Sequence, residues 1–384
     1  MPKIYMDHSA TTPVDPKVAQ VMLSTLTDFF GNPSSIHGYG NEARKTIEKA
    51  RKQVAALIGA SSEEIVFTSG GTEADNMAII GAAHTYQNKG RHIITSKIEH
   101  HAVLDTFKHL ENQGYEATYL PVNRLGQVDI DSVKKAIRED TVLVSIMHAN
   151  NEIGTIEPIE EIGKLTREKG IVFHTDAVQS VGRVPIDVKS LNVDLLSLSG
   201  HKFYGPKGIG GLYIRSGIKP APLLHGGGQE RTWRSGTENV PGIAGLGQAA
   251  EMALNFMPER SQHLRELGHY LTRRILQEIP QAYLTGHPEN RLPGHVSFVF
   301  LGVEGSSMLV FLDSEGIAVS GGSACTSNSF DPSHVLTSLG LTKDAAHSSL
   351  RVTLGKDNTH EEIDKLMAVL PEIIQRQRLM WSLI

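Results

Sequence analysis

The stretch SGGSACTSNS, Ser320 to Ser329, holds Cys325, the only cysteine among 384 residues. An unpaired cysteine is usually a small buried hydrophobe. Here the neighbours are small and mostly polar, Ala324 and Thr326 directly beside it and glycine, serine and asparagine beyond, with nothing large and apolar to enclose the sulfur. No second thiol is present for an intrachain disulfide. A thiol in such a loop reads as a reagent, with the thiolate as the reacting form.

A second reactive group stands at Lys202. It follows the apolar run DLLSLS (Asp194–Ser199) and opens the glycine-rich turn GHKFYGPKG. A lysine partly removed from water there loses basicity and becomes an amine able to form a Schiff base. A plain surface lysine is the bland alternative. Ser199 and His201 flank it as further donors.

Other polar groups follow apolar runs in the same way. After EIVFT comes SGGTEADN, Ser69–Asn76. Its glycines let backbone N–H groups approach an anion, and the helix start that follows favours negative charge. Gly71 and Thr72 stand at that start; Thr72 acting only as a helix cap is the alternative. After IVFHT come Asp176 and Gln179, three apart and so on one side of a helical turn. An acid there can hold a proton on a ring nitrogen, or simply cap a helix. After HIITS comes Lys97-Ile-Glu-His-His101. An imidazole at His100 suits stacking on a flat cofactor or moving protons. Adjacent histidines also ligate metals, but the other members of a zinc set are missing, so no metal is expected. Arg351 lies inside the apolar SLRVTL, Ser349–Leu354. A guanidinium there needs an anion, either a structural carboxylate or a substrate's. Together these are the parts of a pyridoxal phosphate enzyme.

The elements that must hold these groups alternate. Strands are expected at 64–68, 92–96, 117–122, 142–148, 171–175, 194–199 and 209–215. Helices are expected at 72–86, 101–112, 132–139 and 159–169. That order predicts an α/β fold with a mainly parallel sheet covered on both faces. Ligands of such sheets bind at the carboxyl ends of the strands. Residues 223–236 read as an extended loop. A long helix follows over 240–279, with Pro258 as a point of interruption. Beyond it, strands at 295–300 and 349–354 and helices at 306–314 and the C-terminus suggest a smaller α+β unit. The chain length allows two domains, expected as 15–257 and, for the smaller one, 1–14 with 258–384.

Composition narrows the setting. The chain is 40% hydrophobic and 21% charged, with a net charge of −5. It has the makings of a real core and no basic bias toward nucleic acid. No apolar run reaches the roughly 18 residues of a membrane helix. MPKIYMDHSATTP lacks the apolar stretch of a signal peptide. A cytoplasmic protein is expected, where a lone thiol stays reduced.

The motifs MDHSATTP, SGGTEADN, EHHAVL, HANNEIG, HTDAVQ, SGHKFYGPKG, RSGTENV and SACTSNS run through nearly the whole chain. In them the sequence resembles the NifS/IscS-type cysteine desulfurases, class V aminotransferases of the fold-type I pyridoxal 5'-phosphate enzymes. The resemblance implies a large domain with a seven-stranded sheet and a smaller domain carrying the cysteine. It implies that Lys202 forms the Schiff base, Asp176 faces the pyridine nitrogen, Gln179 the ring oxygen, and His100 stacks on the ring. Gly71, Thr72, Ser199 and His201 would hold the phosphate, with Thr237 from the second subunit of a homodimer. Asn151 and Arg351 would bind the carboxylate of L-cysteine. Cys325 would take its sulfur as a persulfide, leaving L-alanine, and pass it to an iron–sulfur scaffold protein or another acceptor. The long segment SACTSNSFDPSHVL resembles the branch that feeds iron–sulfur assembly. Selenocysteine lyase, aminotransferase and an idle sulfur-carrier subunit are the alternatives.

Overall fold

A computed structural model describes residues 3–322 and 331–381. Its strands, in chain order, are β1 (Ile4–Tyr5), β2 (Ile65–Thr68), β3 (His92–Ser96), β4 (Glu116–Leu120), β5 (Thr141–Ser145) and β6 (Val172–Asp176). They continue with β7 (Leu195–Ser199), β8 (Gly210–Ile214), β9 (Ala282–Leu284), β10 (His295–Phe300), β11 (Ile317–Ala318) and β12 (Ser349–Thr353). Seven form one sheet in the order β2-β8-β7-β6-β5-β3-β4. All its pairs are parallel except those of β8, which runs against both β2 and β7. Two reversals cancel, so β2 points the same way as β7.

Alternation along each strand feeds two cores. Ile65, Phe67, Ile94, Val144, Phe173, Leu196 and Leu198 face one side. Val66, Ile93, Leu143, Val172, Leu195 and Leu212 face the other. Helix Gly71–Tyr86 lies on that second side and buries Ala74, Met77, Ala78, Ile79, Ala82 and Ala83. Its small residues let the helix come close to the sheet. On the first side pack Gly38–Leu57 and the long helix Val240–Glu278.

A third core gathers on an antiparallel sheet in the order β12-β10-β9. Helix Val240–Glu278 serves both units. Residues Val240 to Ala253 enter the first core, and Leu264, Leu267, Leu271 and Ile275 the third. It runs on through Pro258, the expected point of interruption. Position 257/258, the expected domain boundary, falls inside it. Helix Ile130–Ala136 begins ahead of the expected 132 because Asp129 accepts from Ser132 N and caps it. Helices Pro16–Thr27 and Gly38–Leu57 precede the alternating region and carry no chemistry-bearing motif. No helix among the described residues is long and apolar enough to cross a membrane.

Candidate active site

Six strands, β2 to β7, end at one edge of the sheet. The chain leaves β3 to form β4 on one side and returns as β5 on the other. That reversal opens a crevice beside β3 and β5. A cavity of about 330 Å³ occupies the edge. It is lined by Gly71, Thr72, His100, Asn151, Asp176, Gln179, Ser199, His201, Lys202 and Arg351, with Ser9, Ala10, Asp75, Met147 and Val178. Ten of the sequence-derived residues thus meet in one place. Thr237 does not line this cavity. It lines a separate one of about 230 Å³ with Ser69, Gly208, Glu230 and Arg234. Cys325 lies outside the described residues.

Local structure fixes each side chain. Lys202 Nζ donates to the carbonyls of Ser9 and Ala10, at 2.5 and 2.9 Å. It therefore crosses to the segment 9–10, almost two hundred positions away in the chain. Asp176 ends β6, and its Oδ1 accepts from Val178 N at 2.9 Å. Gln179 Nε2 donates to Ser9 O at 3.0 Å, while its Oε1 is buried without a partner. His100 caps helix His101–Glu111, its Nδ1 accepting from Ala102 N at 3.1 Å. That bond leaves the proton on Nε2, toward which a ring-side group would find a donor. Arg351, on β12, donates to Asn151 O and to Asp7 Oδ1, both at 3.0 Å.

Burial governs the charges. It lowers His100 to about 4, helped by the positive Lys202, so the ring is neutral. Burial lowers His201 to about 4 as well, again with Lys202 beside it. Asp176 is raised to about 6 by burial, against the pull of Val178 N–H and Lys202. Asp75 is raised well above the usual carboxylate range too, by burial and by the Asp176 charge.

Several of these groups give no signal in the sequence. Asp75 reads as an ordinary first-turn acid, yet it is buried, and its Oδ1 makes no hydrogen bond and lies 3.6 Å from His174 Nε2. Glu99 is fully buried and accepts from Ser96 Oγ at 2.6 Å and Met147 N at 3.0 Å. Asp7 pairs with Arg351 across the whole chain length. Only the apolar setting of Arg351 hints that such an acid must exist. Asn150, not Asn151, ties the turn after β5, donating to Ile98 O and accepting from the amides of 152 and 153.

The aminotransferase class-V family model matches residues 4–366. The chain belongs to the aminotransferase class-V family. A cysteine desulfurase IscS of Methanosarcina thermophila is 55% identical to it, covering 98% of this chain and 93% of the relative. Another, of Dictyoglomus turgidum, is 54% identical over 98% and 95%. A solved NifS-like protein matches with a TM-score of 0.89 and 39% identity over the full length of both chains. A structure described as SspA in complex with cysteine matches at 0.81 and 38%, over 93% of this chain and all of that one.

These class-V aminotransferase family enzymes depend on pyridoxal 5'-phosphate, and the cavity suits that group. Residue 71 must be glycine for the backbone to be reached: a Cβ there would lie 2.6 Å from Val178 Cγ2. The amides that begin helix Gly71–Tyr86 face the same space as Ser199 and His201, as an anion requires. Asp176 offers a buried acid for a ring nitrogen, and Gln179 Oε1, buried without a hydrogen bond, is a polar atom at the same place. Lys202 supplies the amine.

Proposed function

We propose that this cavity converts L-cysteine to L-alanine and leaves the sulfur on Cys325. Cysteine desulfurase is the activity its relatives share across nearly the whole chain. The observation that carries the residue roles is the meeting of Lys202, Asp176, His100 and Arg351 in one cavity from four separate elements. Gly71, Thr72, Ser199 and His201 would hold the phosphate of pyridoxal 5'-phosphate, Asp176 and Gln179 its ring, and Lys202 its carbonyl carbon. The bound group draws electrons away from the substrate Cα. Asn151 and Arg351 hold the substrate carboxylate and orient it. The substrate amine displaces Lys202 from the cofactor's carbonyl carbon, and the freed Lys202 amine takes the Cα proton. Neutral His100, with its Nε2–H toward the ring side, holds or moves a proton at the substrate thiol. The Cys325 thiolate attacks the substrate sulfur. The C–S bond breaks, the carbon fragment takes protons to become alanine, and Cys325 keeps the sulfur as a persulfide.

Further parts of the reading rest on the same resemblance. The larger unit is 15–257, and 1–14 with 258–384 form the smaller one; the separation of the β12-β10-β9 sheet and its core from the seven-stranded sheet and its two cores supports that division. The protein works as a homodimer in which Thr237 reaches the neighbouring subunit's phosphate. It acts in the cytoplasm and delivers sulfur to an iron–sulfur scaffold or another acceptor protein.

The test is one experiment on the holoenzyme. Absorbance is recorded before and after L-cysteine, with alanine and sulfide measured together. Cys325→Ala should keep the cofactor band and its response to L-cysteine but make no alanine. One turnover without reductant should add a single sulfur to the peptide holding Cys325. Native alanine production by Cys325→Ala would overturn the assignment of the nucleophile.

A further inference from the structure

Gly322 and Ser333, on either side of residues 323–330, both lie beside one buried carboxylate, and Ser333 is hydrogen-bonded to it. Before the segment, Gly322 N donates to Ser349 Oγ at 3.0 Å. Gly322 also backs onto Glu152: a Cβ there would lie 3.0 Å from Glu152 Oε2. After the segment, Ser333 Oγ donates to that same oxygen at 2.5 Å. Ser333 in turn accepts from Leu336 N at 3.1 Å and caps helix His334–Ser338. Glu152 is 6% exposed. It directly follows Asn151, whose carbonyl accepts from Arg351. Its own carbonyl accepts from His295 Nε2 at 3.0 Å.

A buried acid is an expensive way to fill space, since an apolar residue of like size needs no desolvation. Burial pushes Glu152 up to about 7, against the pull of Ser333 and Arg351. Its place is explained by what it joins. One side is the turn that carries Asn151 and meets Arg351. The other is Ser333, which caps the helix that follows residues 323–330.

We propose that Glu152 is a positioning residue for sulfur transfer: through its hydrogen bond to Ser333 it fixes the chain that follows residues 323–330 relative to the residues that grip the substrate carboxylate. The inference rests on the roles proposed above for Asn151, Arg351 and Cys325.

The test uses holoenzyme carrying Ser333→Ala, Ser333→Thr, Glu152→Gln, or Ser333→Ala with Glu152→Gln, and Cys325→Ala as a separate arm. Alanine formation is resolved into kcat and KM, cofactor loading is read by absorbance, and alkylation of the sole thiol by iodoacetamide is timed without substrate. Ser333→Ala should lower kcat about tenfold, the scale of one hydrogen bond to a charged group, with loading unchanged. It should also change the alkylation rate by about threefold or more, and Ser333→Thr should restore both. Adding Ser333→Ala to Glu152→Gln should cost less than about twofold more, because the two act through one contact. The inference is overturned if kcat and alkylation stay within about twofold of native, or if the two losses simply multiply. Should Ser333→Ala not load cofactor, Glu152→Gln decides by the same two readouts. Native activity of Cys325→Ala would strike the parent reading instead, and the alkylation arm would still report on the tie.

Discussion

Replacing Glu99 by glutamine should make the protein more stable at pH 8 and leave it little changed at pH 5. Glu99 sits beneath the site, next in sequence to His100, and has no exposure to solvent. Burial raises its carboxyl from 4.5 to about 8, with the Asp176 and Glu157 charges adding to it and Ser96 and Met147 opposing. Below pH 4.5 the folded and unfolded chains both carry the proton. Between 4.5 and 8 the unfolded chain releases it while the folded chain keeps it, so stability drops as pH rises. Above 8 both forms are ionised and the drop levels off. At about 1.4 kcal/mol per pH unit, the full window amounts to about 3–5 kcal/mol. Glutamine keeps an acceptor for Ser96 Oγ and Met147 N and has no proton to lose. At pH 5 one neutral group replaces another, a change of about 1 kcal/mol or less. The assay is denaturant unfolding of both proteins at pH 5, 6.5 and 8, read as a difference so that all other titrating groups cancel. The gap should widen steadily in favour of the variant. A gap that stays constant across the three values would refute the buried, protonated state of Glu99.

Two further outcomes follow from contacts at Glu230 and at Gly71, the second in the proposed phosphate cradle. Glu230 accepts from Arg51 at 2.7 and 2.8 Å and from Phe67 N at 2.8 Å, holding residues 230–232 at positive φ near Thr237. Glu230→Ala strands a guanidinium that is 4% exposed, with Glu48, the Ile65 carbonyl and the face of the Phe67 ring left to it, and should cost about 3 kcal/mol. Denaturant unfolding and faster hydrogen exchange at 229–237 check it; a loss below about 1 kcal/mol speaks against the pin. Gly71→Ala puts a methyl 2.6 Å from Val178 Cγ2 and should weaken pyridoxal phosphate binding about tenfold by titration of the apoprotein. Unchanged affinity would mean that the cradle lies elsewhere.

Much of the site is legible in the sequence, because its residues sit where local pattern changes. An apolar run followed by a polar turn marks a strand end, and strand ends in an α/β sheet face one edge. Lys202, Asp176, His100 and Thr72 each follow such a run, so their convergence follows from spacing alone. The isolated Arg351 in β12 announces the need for an anion in the same way. The identity of that anion is beyond the reach of the sequence. Asp7 is 344 positions away, and only the packing of the smaller unit brings it to Arg351. The same holds for Arg51 with Glu230, and for Ser333 with Glu152. Asp75 and Glu99 look like helix-start acids; burial turns them into groups with shifted protons. The antiparallel β8, between two strands that run together, has no mark in its residues, since a buried strand is apolar on both faces in either direction. Sequence therefore determined the elements and the chemistry at their ends, because both depend on near neighbours. Tertiary structure alone decided strand order, ion-pair partners and protonation states, because these depend on which distant residues meet and how far water is excluded.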